Sequence, residues 1–413
     1  MNVYARQAAQ TGSSIAPDLA DSPLRVAGLE AIVVRARRVA AVAELHAIAV
    51  DEEARVPAEA IAAMKAERLL GVLAPRALGG EDASHGDVVE ACYILGQACA
   101  STAMIYAMHS VKMACLVRHS QDSDWHQGFI ARVADEQMLL ASSTTEGQSG
   151  GAVRSSEAAI VHADGRIRLE RDASVISYGE AADGLVTVAR RDGDAASSDQ
   201  IMLALSKDDY SLTRTRDWAT LGMRGTVSAG FALKAEADPA QILPQPYARI
   251  HAESMVPSAH LFWSAAWTGV AAGAVDRARR FIRKATRNAE GKAPPAAAHL
   301  AKAMSALRAG LALVGTMTTR FEAIKDDRAA LGALEFQTAI TLLKVDASEL
   351  AVQAVTHALR ACGLSGYRSD GEATLGRHMR DILSAPLMIN NDRILADLAT
   401  TSLVADTPQS IRT

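Results

Sequence analysis

Two segments hold the residue types from which chemistry would be built. Residues 377–392, RHMRDILSAPLMINND, put an Arg380-Asp381 pair ahead of Ala385-Pro386, three apolar residues and the amides Asn390 and Asn391. Acid–base work at such a site needs a carboxylate or an imidazole, and an amide is not basic at any relevant pH. Read on spacing alone, the segment is a helix ending before Pro386 and a polar turn at Asn390-Asn391 that starts another helix. Residues 147–151, GQSGG, match G-x-S-x-G. A nucleophile elbow needs a strand before it and a helix directly after it in a parallel sheet. Here helical patterns precede the segment and alternating ones follow, so a serine hydrolase is disfavoured. The same glycines suit a loop whose bare backbone approaches an anionic or carbonyl-rich ligand beside Thr144, Thr145 and Ser149.

The elements that position these segments follow from periodicity. Leu29, Ile32, Val33, Val39, Val42, Leu45 and Ile48 recur at helical spacing. Residues 57–75 and 86–119 continue in helix, the second stretch rich in small residues that allow helices to approach closely. Between about residues 137 and 246 the period turns to alternation. GRIRLER puts Ile167 and Leu169 on one face, with Arg166, Arg168 and Arg171 largely on the other; GLVTVAR, QIMLALS and GFALKAEAD read as further strands. Helical periodicity returns after Pro257, with long helices expected at 298–327 and 334–363 and a break at EGKAPP. The expected divisions are a lead-in over 1–24, a helical domain over 25–136, a β-domain over 137–246 and a helical bundle over 247–413.

Composition narrows the class. The 413 residues are 49% hydrophobic and only 4% aromatic, which suits closely packed helices of Ala, Leu, Val and Ile. A net charge of −4 argues against a nucleic-acid partner. Cys92, Cys99, Cys115 and Cys362 have no metal-ligand spacing and fit reduced thiols, so a cytoplasmic protein is expected, with no metal. No apolar run reaches the roughly 18 residues of a membrane span. G-x-G-x-x-G, Walker, H-E-x-x-H and C-x-x-C motifs do not occur.

The order helices, β-domain, helical bundle resembles the acyl-CoA dehydrogenase superfamily of flavoproteins, and local stretches resemble it too. ERLLGVLAPRALGGEDAS (67–84) is similar to an early family segment, and LASSTTEGQSGG (140–151) to the flavin loop TEP-x-x-GSD. SVISYGE (174–180) is similar to the strand W-I-T-N-G, and LGMRGTVSAGFAL (221–233) to LG-M-R-x-T-x-S, the most specific match. RNAEGK (287–292) is similar to R-x-x-x-G-K, and CGLSGY (362–367) to x-GG-x-GY. The resemblance implies an α+β, mainly α fold: N-terminal helical domain, small middle β-barrel and C-terminal four-helix bundle, assembled as a homo-oligomer, dimer or tetramer. It also implies FAD between barrel and bundle, with FMN as the alternative. Thr144, Thr145, Gly150 and Gly151 would then line the flavin and its pyrophosphate, and Ser177 the reactive N5 edge. Arg287, Gly363 and Asn391 would reach the cofactor of a neighbouring subunit. The sequence departs from the pattern at Gly151, Val175 and Arg360, where the family has serine, tryptophan and glutamine.

The segment 380–392 resembles RD…AP-I-Y-E-G-T-N, whose Glu takes the α-proton of an acyl thioester while hydride passes to the flavin. Ile389 stands at that place. Some members carry the carboxylate on the first bundle helix instead, near residues 258–260 here, where His260 is the titratable group. Tyr106 and His109 fall on the helix that borders the substrate in this fold. Two activities follow from the resemblance. In the first, the protein dehydrogenates an acyl-CoA, with His260 or a displaced Glu253 or Asp392 as base, and passes electrons to an electron-transfer flavoprotein. In the second, it is a monooxygenase fed by a flavin reductase and O2, for which Tyr106 and His109 are candidate proton donors. The dehydrogenase is the preferred expectation; a bundle that has lost its cofactor is the third.

Overall fold

The computed structural model describes residues 30–146, 155–401, 403 and 404. Gly150 and Gly151, expected in the flavin loop, lie outside the described residues. Among the described residues five helices come first: α1 (Ile32–Glu52), α2 (Ala58–Ala66), α3 (His85–Ala98), α4 (Ala100–His119) and α5 (Asp124–Glu136). The core-facing stripe of α1 is Ile32, Ala36, Val39, Ala43, Ala47 and Val50, whereas Leu45 and Ile48 point to the surface. The expected single stretch over 86–119 is two helices, parted at Cys99, whose extended backbone (φ −150°, ψ 117°) interrupts the helical ladder.

Seven strands follow among the described residues: β1 (Leu140–Ser143), β2 (Val161–Ala163), β3 (Arg166–Ile176), β4 (Gly184–Arg190), β5 (Gln200–Ser206), β6 (Tyr210–Arg216) and β7 (Ala229–Ala237). They form a three-stranded sheet, β1-β4-β5, and a four-stranded one, β2-β3-β7-β6. The chain just after β1 bridges to β3 at Glu146 and Ala173, so the two sheets share a corner. Along β3 burial alternates as expected for Ile167 and Leu169. Arg171, however, shares their period and lies on the buried face, where its guanidinium pairs with Glu146 at 3.1 Å.

The C-terminal part runs through α6 (Tyr247–Ile250), a π-helical turn (His251–Met255), α7 (Val256–Asn288), α8 (Ala297–Ile324), α9 (Arg328–Gly332) and α10 (Leu334–Cys362). It ends in four short helices, α11 (Leu364–Tyr367), α12 (Gly376–Ile382), α13 (Ser384–Leu387) and α14 (Asn391–Thr401). The long helices α7, α8 and α10 pack on one another, and α3 lies along α7. Small residues set that last approach. A Cβ on Gly96 would fall 2.3 Å from the Ala266 carbonyl oxygen, and one on Gly269 would fall 2.3 Å from that of Tyr93. Among the described residues no helix is long and apolar enough to cross a membrane. Among the described residues no group of three or more His, Cys, Asp or Glu is placed to hold a metal ion.

Candidate functional site

A cavity of about 560 Å3 opens where the end of β3, the turn before β7, α4, the start of α7 and the turn after α13 meet. One wall is a row of hydroxyls: Ser142, Thr144, Thr145, Ser174, Ser177, Thr226 and Ser228. The opposite side is apolar and includes Met104, Met108, Val111, Met255, Trp263 and Met388. The π-helical turn contributes directly to the lining. Both His251 and Met255, four residues apart on one face of the turn, line the cavity, ahead of Val256, Ala259 and His260.

The hydroxyl wall is wired in one direction. Thr226 Oγ1 donates to the Met223 carbonyl oxygen at 2.9 Å and lies 2.8 Å from Ser228 Oγ, which in turn is 2.7 Å from Ser177 Oγ. A carbonyl only accepts and each hydroxyl has one proton, so Ser177 donates to Ser228 and Ser228 to Thr226. Ser177 Oγ is left presenting lone pairs at the cavity. Next to it, Ser174 Oγ donates to Thr145 Oγ1 at 3.2 Å, joining the chain after β1 to β3. Glu146 then accepts from Ser156 Oγ (2.6 Å) and from the amides of Glu157 and Ala158. Burial raises its pKa, but these donors and Arg171 outweigh that and hold the carboxyl below its ordinary range.

The LGMR turn and the Arg-Asp pair explain each other. Asp381 Oδ1 accepts from the Met223 amide at 2.7 Å, and Arg380 donates to the Leu221 carbonyl oxygen at 3.1 Å while pairing with Asp51. A Cβ on Gly222 would sit 2.1 Å from the Arg380 carbonyl oxygen, so only glycine allows this approach. The pair therefore clamps the cavity floor to the bundle. Burial pushes the Asp381 carboxyl up to about 6 against the lowering effect of Arg377 and the Met223 amide. Beyond it, Pro386 lies inside α13 rather than after a helix. The turn falls at Ile389 and Asn390, both with left-handed φ (48° and 53°), and α14 begins at Asn391. Ile389, expected from the resemblance to stand in place of a glutamate, lines the cavity.

The expected catalytic residues divide. His260 lines the cavity, fully buried, and its Nδ1 donates to the Ile340 carbonyl oxygen at 2.9 Å. That bond fixes the tautomer with Nε2 as acceptor, and burial lowers its pKa to about 4, so the ring is neutral at pH 7. His109 is not at the site. Its Nε2 donates to the Leu70 carbonyl oxygen at 2.7 Å, and its Nδ1 accepts from the Leu140 amide at 3.1 Å, which uses both ring nitrogens to tie α4 to β1. Tyr106 is likewise fully buried away from the cavity, its hydroxyl without a partner among the described residues. Glu253 is ringed by Arg249, Arg328 and Arg118 at 3.0, 3.1 and 3.4 Å, outside the cavity wall. Asp392 also lies off the wall, in the first turn of α14. Among the described residues, no carboxylate lines the cavity.

Of the residues expected to bind cofactor, Thr144, Thr145 and Ser177 share the cavity wall. Arg287 is exposed at the end of α7, and Gly363, with φ 55°, is exposed at the end of α10. Asn391 is not available to a cofactor. Its amide donates to Ser348 Oγ and Glu349 Oε1 at 3.0 and 2.9 Å, and its oxygen accepts from Lys344 at 2.6 Å. Lys112, Trp218 and Trp263 are cavity residues that periodicity did not single out, because a helix pattern does not tell which buried face borders a void.

Family models of the acyl-CoA dehydrogenase N-terminal and C-terminal domains match residues 29–136 and 261–387, together more than half of the chain. The chain belongs to the acyl-CoA dehydrogenase superfamily. It is 25% identical over 344 residues to cyclohex-1-ene-1-carbonyl-CoA dehydrogenase of Geobacter metallireducens, covering 81% of this chain and 87% of that protein. Among solved structures it shares its fold with FMN-bound TdsC from Paenibacillus sp. A11-2, at TM-score 0.79 and 18% identity over 93% of this chain and 100% of that one. The methanesulfinate monooxygenase MsuC of Pseudomonas fluorescens is similar at TM-score 0.76 and 18% identity, again over 93% and 100%. Members of the superfamily are flavin-dependent oxidoreductases, and the wall of this cavity fits such a ring. A row of uncharged hydroxyls suits the many nitrogen and oxygen atoms of a neutral heterocycle, and Trp263, whose buried Nε1 has no partner among the described residues, adds an aromatic face.

Proposed function

We propose that the protein is a flavin-dependent monooxygenase built on the acyl-CoA dehydrogenase fold, acting on a small, largely apolar molecule. The observation that carries this reading is the cavity lining: among the described residues it has no carboxylate, and Ile389, which the resemblance aligns with the family base, adds only an alkyl group. Removal of an α-proton needs a base of adequate pKa near the substrate, and a neutral His260 whose conjugate acid has a pKa of about 4 is a poor one. Bound flavin, FAD or FMN, would supply two electrons to O2, one oxygen atom entering the substrate and the other leaving as water. The protein's part is to hold the ring, exclude water and orient the substrate.

In this reading Thr144, Thr145 and Ser174 would hold the ring, and Ser177 would offer its lone pairs to the reactive edge. The methionines and Trp263 keep the space dry, and His260 Nε2 accepts a hydrogen bond from the substrate. Reduced flavin would come from a separate reductase. Arg287 and Gly363, both at the surface, are available to a neighbouring copy in a homodimer or homotetramer, and four free, buried cysteines suit a reducing cytoplasm. The second reading, dehydrogenation of an acyl-CoA with transfer to an electron-transfer flavoprotein, is favoured by the curated relative at 25% identity. The test is oxygen uptake by the purified protein supplied with a flavin reductase, NADH and candidate apolar substrates. Substrate-dependent product carrying one atom of labelled O2 is expected. Bleaching of bound flavin by an acyl-CoA without oxygen would favour the second reading.

A further inference from the structure

Among the described residues two lysines are buried, and one of them is satisfied. Lys344, on α10, donates to Asn391 Oδ1 at 2.6 Å, and its ammonium lies 5.6 Å from the centre of the Trp267 ring. Lys112, on α4, is 1% exposed and lines the cavity, yet its one hydrogen-bond partner among the described residues is Met255 Sδ at 3.2 Å. A thioether is a weak acceptor, and an ammonium has three protons to give. Among the described residues no carboxylate pairs with it, and no carboxylate lines the space it borders. The other cavity cation, Arg380, is already neutralised by Asp51.

Burial lowers the Lys112 pKa to about 8, which still leaves it mainly an ammonium at pH 7, and an ammonium at a cavity wall with no counter-ion of the protein's own is a ready partner for an anion brought by a ligand. Its surroundings, Met104, Met108, Val111 and Met255, are aliphatic and thioether groups that mould to an apolar body. We propose that Lys112 anchors an anionic oxygen of the substrate, and that the substrate class is a compact apolar acid, an aryl or alkyl body bearing one carboxylate or comparably acidic oxygen. The inference rests on the reading of this cavity as the substrate space beside the flavin. A neutral thioester carbonyl would leave the charge of Lys112 uncompensated, so the class is set apart from acyl-CoA by charge.

The test uses a matched pair of probes, phenylacetate and its neutral isostere phenylacetamide. Each is titrated into the flavin-loaded wild-type protein and into Lys112→Met and Lys112→Arg. Two signals are read: quenching of the cavity tryptophans Trp218 and Trp263, and perturbation of the flavin spectrum. Wild type is expected to bind phenylacetate on the order of 10- to 100-fold more tightly than phenylacetamide, the worth of one charge-assisted hydrogen bond. Lys112→Met should lose that preference while keeping its affinity for phenylacetamide, and Lys112→Arg should retain it. Equal affinity of wild type for the two probes would overturn the proposal, as would a preference that survives in Lys112→Met. A protein that takes up no flavin but still prefers phenylacetate through Lys112 by tryptophan quenching would refute the monooxygenase reading and leave the anion site standing.

Discussion

Ser177 Oγ lies 2.7 Å from Ser228 Oγ, and this contact orients the hydroxyl that faces the cavity from the end of β3. Ser228 passes the polarity on to Thr226 and the Met223 carbonyl, so the proton of Ser177 is committed inward. Ser177→Ala removes one hydrogen bond at the ring edge and is expected to lower turnover roughly 5- to 15-fold. Ser228→Ala frees the proton of Ser177 and should have a smaller effect. Because the two act in series, the double variant should match Ser177→Ala rather than the product of the singles, which a double-mutant cycle on turnover measures.

The Asp381 carboxylate and the Met223 amide are a second fixed pair, 2.7 Å apart and 158 residues apart in sequence. Asp381→Ala leaves that amide buried without an acceptor, which is expected to cost about 1–3 kcal/mol in urea unfolding. Asp381→Asn keeps an acceptor oxygen and should cost less. The loss should also reach the site, since Trp218 Nε1 donates to the Met223 carbonyl at 2.9 Å and Trp218 lines the cavity.

The contact of α3 with α7 depends on glycine. Gly269→Ala brings a methyl group 2.3 Å from the Tyr93 carbonyl oxygen, a backbone atom that cannot swing aside. A destabilisation of about 1–3 kcal/mol is expected, with a lower thermal midpoint. Gly128→Ala, where nothing lies within 4 Å of the added carbon, should cost nothing by steric clash and serves as the control.

Stability should fall on the acid side of neutrality. Burial lowers the pKa of His109, His119 and His260 to about 4, below the ordinary histidine value near 6.5. The unfolded chain therefore takes up protons at these residues before the folded one does. Their contribution is fully present above pH ~6.5 and is lost as pH drops toward about 4, each pKa unit being worth about 1.4 kcal/mol per group. Asp381, raised by burial to about 6, acts in the opposite sense and offsets part of the loss. Urea midpoints measured from pH 7.5 to 4.5 should decline, and His109→Gln should flatten the slope.

Much of the architecture was legible because it rests on local periodicity. The strands GLVTVAR and QIMLALS fall where alternation puts them, and the small residues of α3 meet α7 as closely as their size suggested. The site was legible in part. Ser177, Thr144, Thr145 and His260 reach one cavity, and Ile389 stands on its wall. His109 was misread because its partners, the Leu70 carbonyl and the Leu140 amide, are 39 and 31 residues away, beyond any spacing argument. Arg171 is a different case: alternation alone puts it with Ile167 and Leu169 on the buried face, and Glu146 across the sheet corner supplies the partner that lets a guanidinium sit there. Lys112 escaped notice because a lysine in a helix is usually solvated, and only the packing of α4 against the π-helical turn puts it in the interior.

Whether this cavity, which has no carboxylate on its wall among the described residues, can take an α-proton is tested most directly by exchange of the α-hydrogens of acyl-CoA thioesters in D2O. The flavin-loaded protein is kept anaerobic and exchange is followed by NMR over a range of acyl lengths. The account predicts no exchange above the rate without protein for any acyl length. Enzyme-dependent exchange, abolished by His260→Ala or by another substitution on the cavity wall, would contradict it.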